Sequence, residues 1–286
     1  MQNLKERFKR FHQKYGYLNI QEQIENFAIF DGFSELELEL TTDIYQNIEK
    51  NIINHIDQLQ KSFQTDQNTK KILKKLANGD RKQYAIYKNG EISQTKGKQL
   101  YRELYDKNII KKEFSREKKI EKIKHQPLKK ELRGYLIEDK LKFTKNFDRF
   151  WYTFLCDRDK NEFMDLLQNG LEKYISLTFE ELSNELIKED CFGLNIVESG
   201  SYWDRKVEID LLAKDSSGKY IAGECKWTNQ KICKNILRKL QNKVQYIDFE
   251  VTKFALFSKN GFSKSFQKET KEAILFDLND FKRLNE

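Results

Sequence analysis

Two strand-like runs joined by a short polar loop constrain this chain more than any other feature. The runs read "KVEIDLLAK" and "KYIAGECKW", and a loop of Ser216, Ser217 and Gly218 lies between them. Such a loop suits a type I turn whose glycine takes the left-handed backbone conformation. We therefore predict an antiparallel hairpin in which Asp210 lies opposite Glu224 and Glu208 opposite Lys226.

The alternation of side chains along a strand separates the hairpin into two faces. The apolar face is predicted to join a core and comprises Ile209, Leu211, Ala213, Ile221, Cys225 and Trp227. The polar face comprises Glu208, Asp210, Glu224 and Lys226. Three carboxylates and one lysine are thus expected within one cross-strand neighbourhood.

This polar face predicts a cation site. Opposed carboxylates repel each other unless a cation joins them. Mg²⁺ prefers oxygen ligands and is often held by one or two carboxylates together with substrate phosphates. We expect Asp210 and Glu224 to bind Mg²⁺ (or Mn²⁺), with Lys226 holding or activating a water aimed at phosphorus. The alternative interpretation of the same residues is a surface salt-bridge cluster, which contributes little to stability.

The elements around the hairpin are predicted to form an α/β or α+β unit. Residues 171–188 have one apolar helical face, formed by Leu171, Ile175, Phe179, Leu182 and Leu186. A strand at "GLNIVES", the hairpin, a helix over residues 231–249 and strands at "KFALFS" and "AILFDL" follow. The predicted order is helix, three strands, helix and strand, with an additional strand near the end.

With this order, Asp210 and the Glu224-Cys225-Lys226 triplet resemble the motif of the PD-(D/E)xK nuclease superfamily. The resemblance implies a restriction-endonuclease-like αβββαβ domain in which Asp210 and Glu224 hold a divalent metal and Lys226 serves phosphodiester hydrolysis. Glu180 matches the helix glutamate that many members add, and Glu181 and Glu185 are rivals for that position. Ile209 stands where the motif has proline, a common departure.

A closer resemblance involves "FWYTFL", "TFEEL", "YWDRKVEIDLLA" and "GECKW". These stretches resemble the nuclease-like C-terminal family of unknown function that is attached to archaeal-type AAA ATPases, and the resemblance covers residues 70–286. In that family an ATPase module and a winged helix come first. This chain contains no G-x-x-x-x-G-K-[ST] loop, so no nucleotide cofactor or nucleotide hydrolysis is expected.

The middle of the chain is predicted to be a winged helix-turn-helix. Residues 69–114 read as three short helices followed by a strand, and the third helix of such a unit lies in the major groove of DNA. It would present Lys96, Lys98 and Arg102. The alternative is a helical unit for protein contacts. The adjoining residues 111–133 carry ten lysines and arginines and four glutamates, which is typical of a phosphate-contacting arm or of a solvated linker.

The sequence therefore divides into three regions. Residues 1–66 form a helical region, residues 67–134 the winged helix with the basic segment, and residues 135–286 an aromatic-rich connector followed by the nuclease-like domain. The isoleucines of residues 44–63 recur at the spacing of one helix face. The connector aromatics are predicted to be core residues and comprise Phe143, Phe147, Phe150, Trp151 and Phe154.

Composition excludes several classes of protein. No apolar run is long enough for a membrane helix and the N-terminus lacks a signal-peptide core, so a cytoplasmic protein is expected. The four cysteines form no C-x-x-C pair, which disfavours a zinc site or a disulfide framework. The net charge of +8 fits a DNA partner, but a bias towards lysine, asparagine and isoleucine also explains it. We expect a DNA-associated protein with a Mg-dependent nuclease domain. The alternative is a non-catalytic module that binds DNA or a protein partner.

Overall fold

The computed structural model describes residues 3–118, 137–189, 192–269 and 272–286. These residues form a mixed α and β structure with an N-terminal helical region and a five-stranded sheet near the C-terminus. Within these ranges no helix is long and apolar enough to cross a membrane. The helices of the N-terminal region are α1 (Leu4–Tyr15), α2 (Ile20–Phe30), α3 (Ile44–Asn51) and α4 (Ile56–Ser62).

The N-terminal region packs around α2, which is buried along most of its length. Asn19 caps this helix in a reciprocal capping box with Glu22, which satisfies two backbone N–H groups. The single helix predicted over residues 44–63 is wrong, because a 3₁₀ turn at Ile53–His55 separates α3 from α4. The buried Asn51 at the end of α3 accepts a hydrogen bond from the Glu39 N–H and donates one to the Glu39 carbonyl. The end of α3 is therefore fixed to the segment that precedes the helix.

The middle of the chain has the predicted order of three short helices followed by a strand. The elements are α5 (Gln67–Ala77), α6 (Gln83–Asn89), α7 (Gln94–Asp106), β1 (Ile110–Glu113) and β2 (Lys140–Phe143). The strands β1 and β2 are antiparallel, with Ile110 opposite Phe143. The Leu141 N–H also donates to the carbonyl of Arg81 at 2.7 Å, so the turn before α6 joins this small sheet. The hairpin extends across the predicted boundary at residues 134/135, and residues 119–136 of its connection lie outside the described residues.

The aromatic connector is core, as predicted. Its helix α8 (Asn146–Phe150) continues into one π-helical turn at Trp151–Leu155, and the long α9 (Lys160–Leu186) follows. Each of the five predicted aromatic residues is at most 8% exposed. Phe147 also contacts Phe33 edge to face, with ring centroids 4.6 Å apart, which joins the connector to the N-terminal region.

The C-terminal sheet has the predicted order of helix, three strands, helix and strand. Its strands, in spatial order, are β3 (Ile196–Trp203), β4 (Glu208–Asp215), β5 (Tyr220–Lys226), β6 (Val251–Ser258) and β7 (Ala273–Phe276). The pairings β3–β4 and β4–β5 are antiparallel, whereas β5–β6 and β6–β7 are parallel. Helix α10 (Lys234–Val244) connects β5 to β6, and α11 (Lys264–Glu269) precedes β7.

Two apolar clusters cover the two faces of this sheet. The predicted apolar residues of α9 and the side chains of Leu211, Ala213 and Ile221 belong to one cluster. Leu212, Ala222 and the α10 residue Leu240 belong to the other. The sheet is therefore sandwiched between α9 and α10. The polar residues Asp210 and Glu224 lie near the start of β4 and near the end of β5, which are neighbours because the two strands are antiparallel.

Candidate functional site

The hairpin of β4 and β5 has the predicted register. Leu211 lies opposite Gly223 and Lys214 opposite Tyr220, so the ladder ends immediately beside Asp210 and Glu224. Gly218 has a φ of 90°, as the predicted turn requires. The Asp215 carboxylate accepts hydrogen bonds from Ser217 and from the backbone of Lys219, which fixes the turn. Local turn chemistry thus places the two acidic residues at neighbouring positions.

A bulge in β4 changes which way Asp210 points. Gly200 pairs with Leu212 and Tyr202 with Ile209, so β4 has one more residue than β3 between these pairs. As a result, Ile209 packs with Leu212 in the cluster beneath α10. The prediction that Ile209 shares a face with Leu211 is wrong. An extra residue bends a strand and redirects a side chain, and here it brings the Asp210 side chain within electrostatic range of α9.

Asp210 is held by the backbone of the neighbouring strand. Its Oδ2 accepts a hydrogen bond from the Cys225 N–H at 2.9 Å. The Asn184 side chain donates to the Asp210 carbonyl at 3.1 Å, and Ser199 in turn donates to Asn184 at 2.7 Å. Burial, followed by the negative charge of Glu224, raises the pKa of Asp210 to about 6. The carboxyl is therefore fixed in place and poorly compensated by positive charge.

Glu224 is 9% exposed and lies between two lysines. Its Oε1 accepts from Lys226 at 2.7 Å and its Oε2 accepts from Lys243 at 2.8 Å. Burial acts to raise the pKa of Glu224, but the two lysines outweigh it and lower the pKa below its ordinary value. Lys243 was missed by the sequence reasoning, because only the packing of α10 against β5 brings it to this carboxylate.

Glu180 is the α9 glutamate that faces the hairpin acids. Burial, followed by the charge of Asp210, raises the pKa of Glu180 to about 8. In the described part of the chain its carboxylate has neither an ion pair nor a hydrogen bond. The rivals are committed elsewhere, since Glu181 contacts Lys142 at 2.7 Å and Glu185 contacts Lys188 at 2.9 Å. Of the three glutamates, Glu180 is the one available to act with Asp210.

Glu208, the fourth residue of the predicted polar face, does not join this group. It is exposed and contacts Lys140 of β2 at 2.5 Å. The Lys140 ammonium also lies 4.4 Å from the centroid of the Trp203 ring, where the π face attracts it. Glu208 therefore ties the small β1–β2 sheet to β4.

The three remaining carboxylates provide the oxygen ligands that a hard cation such as Mg²⁺ binds. Oxygen donors from Glu180, Asp210 and Glu224 are the ligands that Mg²⁺ prefers. Burial is the main cause that raises the pKa values of Asp210 and Glu180, and the charge of Glu224 on Asp210 and of Asp210 on Glu180 adds to it; a divalent cation would relieve that repulsion. Among the residues that the structure describes, however, no group of three or more His, Cys, Asp or Glu side chains is arranged to hold a metal ion.

The residues predicted to contact DNA lie on a separate surface. Lys96, Lys98 and Arg102 are exposed on α7, while Leu100 and Leu104 of the same helix are buried. Ser93 caps the helix, as its position predicted, by accepting from the Lys96 N–H at 3.3 Å. No contact between described residues joins these three cations to the carboxylate site.

Comparisons with known proteins leave the chain's activity open. Residues 151–240, which include α9, β3, β4 and β5, match a family model, DUF234, described as archaea bacterial proteins of unknown function. This match contains the three carboxylates and Lys226 but covers less than half of the chain. No curated protein and no solved structure matches the chain. Residues 151–240 are therefore similar to a family whose function is itself unknown.

Proposed function

We propose that this chain is a DNA-associated protein whose C-terminal domain is a Mg²⁺- or Mn²⁺-dependent nuclease of the PD-(D/E)xK type. The observation that carries the proposal is the convergence of Glu180, Asp210 and Glu224 from α9, β4 and β5 beside Lys226. Asp210 is repelled by Glu224 and Glu180 by Asp210, and these two carboxyls with raised pKa values favour binding of a cation. The element order around them is that of the superfamily that the motif resembles.

Each residue has a defined role in this proposal. Asp210 and Glu224 would hold the divalent cation, and Glu180 would complete its ligand shell or fix a water molecule. The cation supplies positive charge that stabilises the negative charge developing on the phosphate. The Lys226 ammonium donates to Glu224 at 2.7 Å, and from this position it would donate a second hydrogen bond to the attacking water.

The DNA-binding part of the proposal rests on two exposed basic surfaces. We infer that α5, α6, α7 and the β1–β2 hairpin act as a winged helix, with Lys96, Lys98 and Arg102 contacting DNA. The second surface is α10, which presents the exposed Arg238 and Lys239. No acidic residue occurs in residues 231–246. Because Lys243 of the same helix contacts Glu224, phosphates bound along α10 would lie near the carboxylates.

One observation favours a second candidate function. Both Glu224 oxygens are already occupied by lysines, which is the arrangement of an ion-pair cluster. Under this alternative the domain is a non-catalytic module that binds DNA or a protein partner. The two functions differ in whether a divalent cation displaces a lysine from Glu224.

Nuclease assays on matched variants distinguish the two. Supercoiled and linear DNA are incubated with the wild type, Asp210→Asn, Lys226→Ala and Glu208→Gln, with and without Mg²⁺ or Mn²⁺. We expect metal-dependent cleavage by the wild type and by Glu208→Gln, whose side chain lies outside the carboxylate group. Asp210→Asn should abolish cleavage, and Lys226→Ala should slow it while keeping metal binding.

Circular dichroism on every variant establishes that the folds are intact. Equal cleavage by all four proteins would mean that the activity lies elsewhere or comes from a contaminant. Absence of cleavage by folded wild-type protein in either metal would favour the binding module.

A further inference from the structure

A cavity of about 430 Å³ lies between the proposed winged helix and α9, the helix that carries Glu180. Its walls come from α5, the turn before α6, β2, the π-helical turn and α9. Cavities of about 300–1,000 Å³ are typical of small-molecule sites. Glu180 is among its lining residues, so the cavity opens beside the carboxylate site without including Asp210 or Glu224.

The charges that line this cavity favour an anion. Five cationic side chains line it, whereas Glu180 is its single acidic lining residue among those described. Arg81 and Lys142 are neutralised by carboxylates outside the cavity, those of Glu113 and Glu181. The other three cations have no carboxylate partner within the described ranges, and they are Arg149, Arg158 and Lys173.

Two of these cations are oriented by the protein. Arg149 donates from Nη2 to the Tyr174 carbonyl at 3.2 Å and to Thr178 Oγ1 at 3.0 Å, and its guanidinium lies 4.0 Å from the Tyr174 ring centroid. Arg158 donates from Nη1 to the Thr153 carbonyl at 2.7 Å. The buried Nε of Arg149 has no hydrogen-bond partner. Fixed guanidinium groups with N–H donors to spare are well suited to phosphate oxygens.

The rest of the wall is apolar and partly aromatic. Phe154 and Tyr174 meet edge to face, with ring centroids 5.2 Å apart. Leu177 lines the same wall, and Leu166 at the cavity is 41% exposed although it is a large apolar side chain. Phe154 and Tyr174 are buried, so a flat apolar group placed against this wall would cover chiefly the exposed Leu166 and the half-buried Leu177.

We propose that this cavity binds a nucleoside monophosphate, with the phosphate on Arg149, Arg158 and Lys173 and the base against the apolar wall. Two sources share this chemistry, a free mononucleotide and the phosphorylated terminal nucleotide of a DNA strand. The proposal goes beyond the nuclease function and holds in its absence, because Arg149, Arg158 and Lys173 have no part in binding the catalytic cation.

Binding is measured by calorimetry in EDTA, so that cleavage plays no part in the result. The probes are dAMP, deoxyadenosine, inorganic phosphate, and one oligonucleotide with and without a terminal phosphate. We expect saturable binding of dAMP, and binding at least about tenfold weaker for deoxyadenosine and for phosphate, since each lacks half of the contacts. A preference for the phosphorylated oligonucleotide over dAMP identifies a strand end as the source, and the reverse identifies the free nucleotide.

Variants test whether the cavity is the site of binding. The double variant Arg158→Ala/Lys173→Ala should weaken dAMP binding by at least about tenfold, because it removes two charge-assisted contacts. Lys160→Ala removes an exposed lysine of α9 that does not line the cavity, and it should bind as the wild type does. The proposal is overturned if neither dAMP nor the phosphorylated oligonucleotide binds. Equal binding by a folded double variant, or by phosphate alone, overturns it as well.

Discussion

Lys243 on α10 donates to the second carboxylate oxygen of Glu224 on β5, at 2.8 Å. The first oxygen accepts from Lys226 at 2.7 Å. Glu224 therefore has two ammonium partners where the proposed function needs it to bind a divalent cation. Lys226 belongs to the sequence motif, whereas Lys243 lies outside it and competes with a divalent cation for the Glu224 carboxylate under the proposed function.

Lys243→Ala should strengthen metal binding. The variant loses one partner of a buried carboxylate, so without metal its free energy of unfolding should fall by about 1 kcal/mol. Addition of Mn²⁺ should then raise its melting temperature by more than it raises that of the wild type. Arg238→Ala, which removes an exposed cation of the same helix, is the control. An equal Mn²⁺ effect in all three proteins would argue against cation binding at Glu224.

Adjacent glutamates on α9 should respond differently to the same substitution. Glu181→Gln leaves Lys142, which is mostly buried, with only the longer contact to Glu113 at 3.5 Å, and we expect it to lower the free energy of unfolding by about 2 kcal/mol. Glu180→Gln should raise the free energy of unfolding at pH 7 by up to about 3 kcal/mol, because the folded-state pKa of about 8 means that the wild-type carboxyl takes up a proton on folding, whereas glutamine is neutral in both states. Urea unfolding of both variants at pH 7 measures the difference, and the reverse order would contradict the assigned partners.

Asp148 predicts a pH dependence of stability away from the candidate site. Burial raises its pKa to about 6, so between pH 4 and pH 6 the folded state binds more protons than the unfolded state. The free energy of unfolding of the wild type therefore falls as the pH rises through this range, because the folded state favours the neutral Asp148 carboxyl. Asp148→Asn should be more stable than the wild type by about 2 kcal/mol at pH 8 and equally stable near pH 4.

Thermal unfolding of the wild type and Asp148→Asn across this pH range provides the test. Asp165→Asn, which changes an exposed carboxylate of α9, is the control for the loss of one negative charge. A stability difference that does not vary with pH would mean that the Asp148 carboxyl keeps its ordinary pKa.

Charge reversal on α7 tests the proposed DNA surface. Changing Lys96, Lys98 and Arg102 to glutamate should weaken DNA binding and reduce the slope of log affinity against log salt by up to about three. Each single reversal on α7 is compared with Lys160→Glu, which makes the same change of net charge at an exposed lysine at the start of α9. Fluorescence anisotropy at several salt concentrations gives the slope, and an unchanged slope would exclude α7 as the phosphate-contacting surface.

The parts of the fold that could be predicted are those fixed by nearby residues. The register of β4 and β5 follows from a three-residue loop with Gly218 in the left-handed conformation, so local chemistry determines it. The apolar face of α9 likewise follows from helical spacing. The hairpin positions Asp210 and Glu224, which explains why these two residues could be selected from the sequence, whereas Glu180 was selected through the resemblance to the PD-(D/E)xK superfamily, with Glu181 and Glu185 as rivals.

The parts that could not be predicted depend on partners distant in the sequence. The bulge that moves Ile209 to the α10 side exists only in relation to β3. The break between α3 and α4 accompanies two hydrogen bonds that the Asn51 side chain exchanges with the backbone of Glu39. The pairing of Lys243 with Glu224 needs the docking of α10 on the sheet. No spacing pattern within one element contains this information.

The β1–β2 hairpin that follows α7 contacts the C-terminal sheet and α9 in two places. Beyond β1, Ser115 donates to the Trp203 carbonyl at 2.6 Å and the Arg116 N–H donates to the Ser201 carbonyl at 3.1 Å, while Lys142 of β2 contacts Glu181. These contacts hold α7 and the carboxylates at a constant separation. If α7 and the carboxylate site engage the same duplex, the distance between them determines the position of cleavage. Cleavage would then fall a fixed number of base pairs from the bound sequence and leave uniform ends.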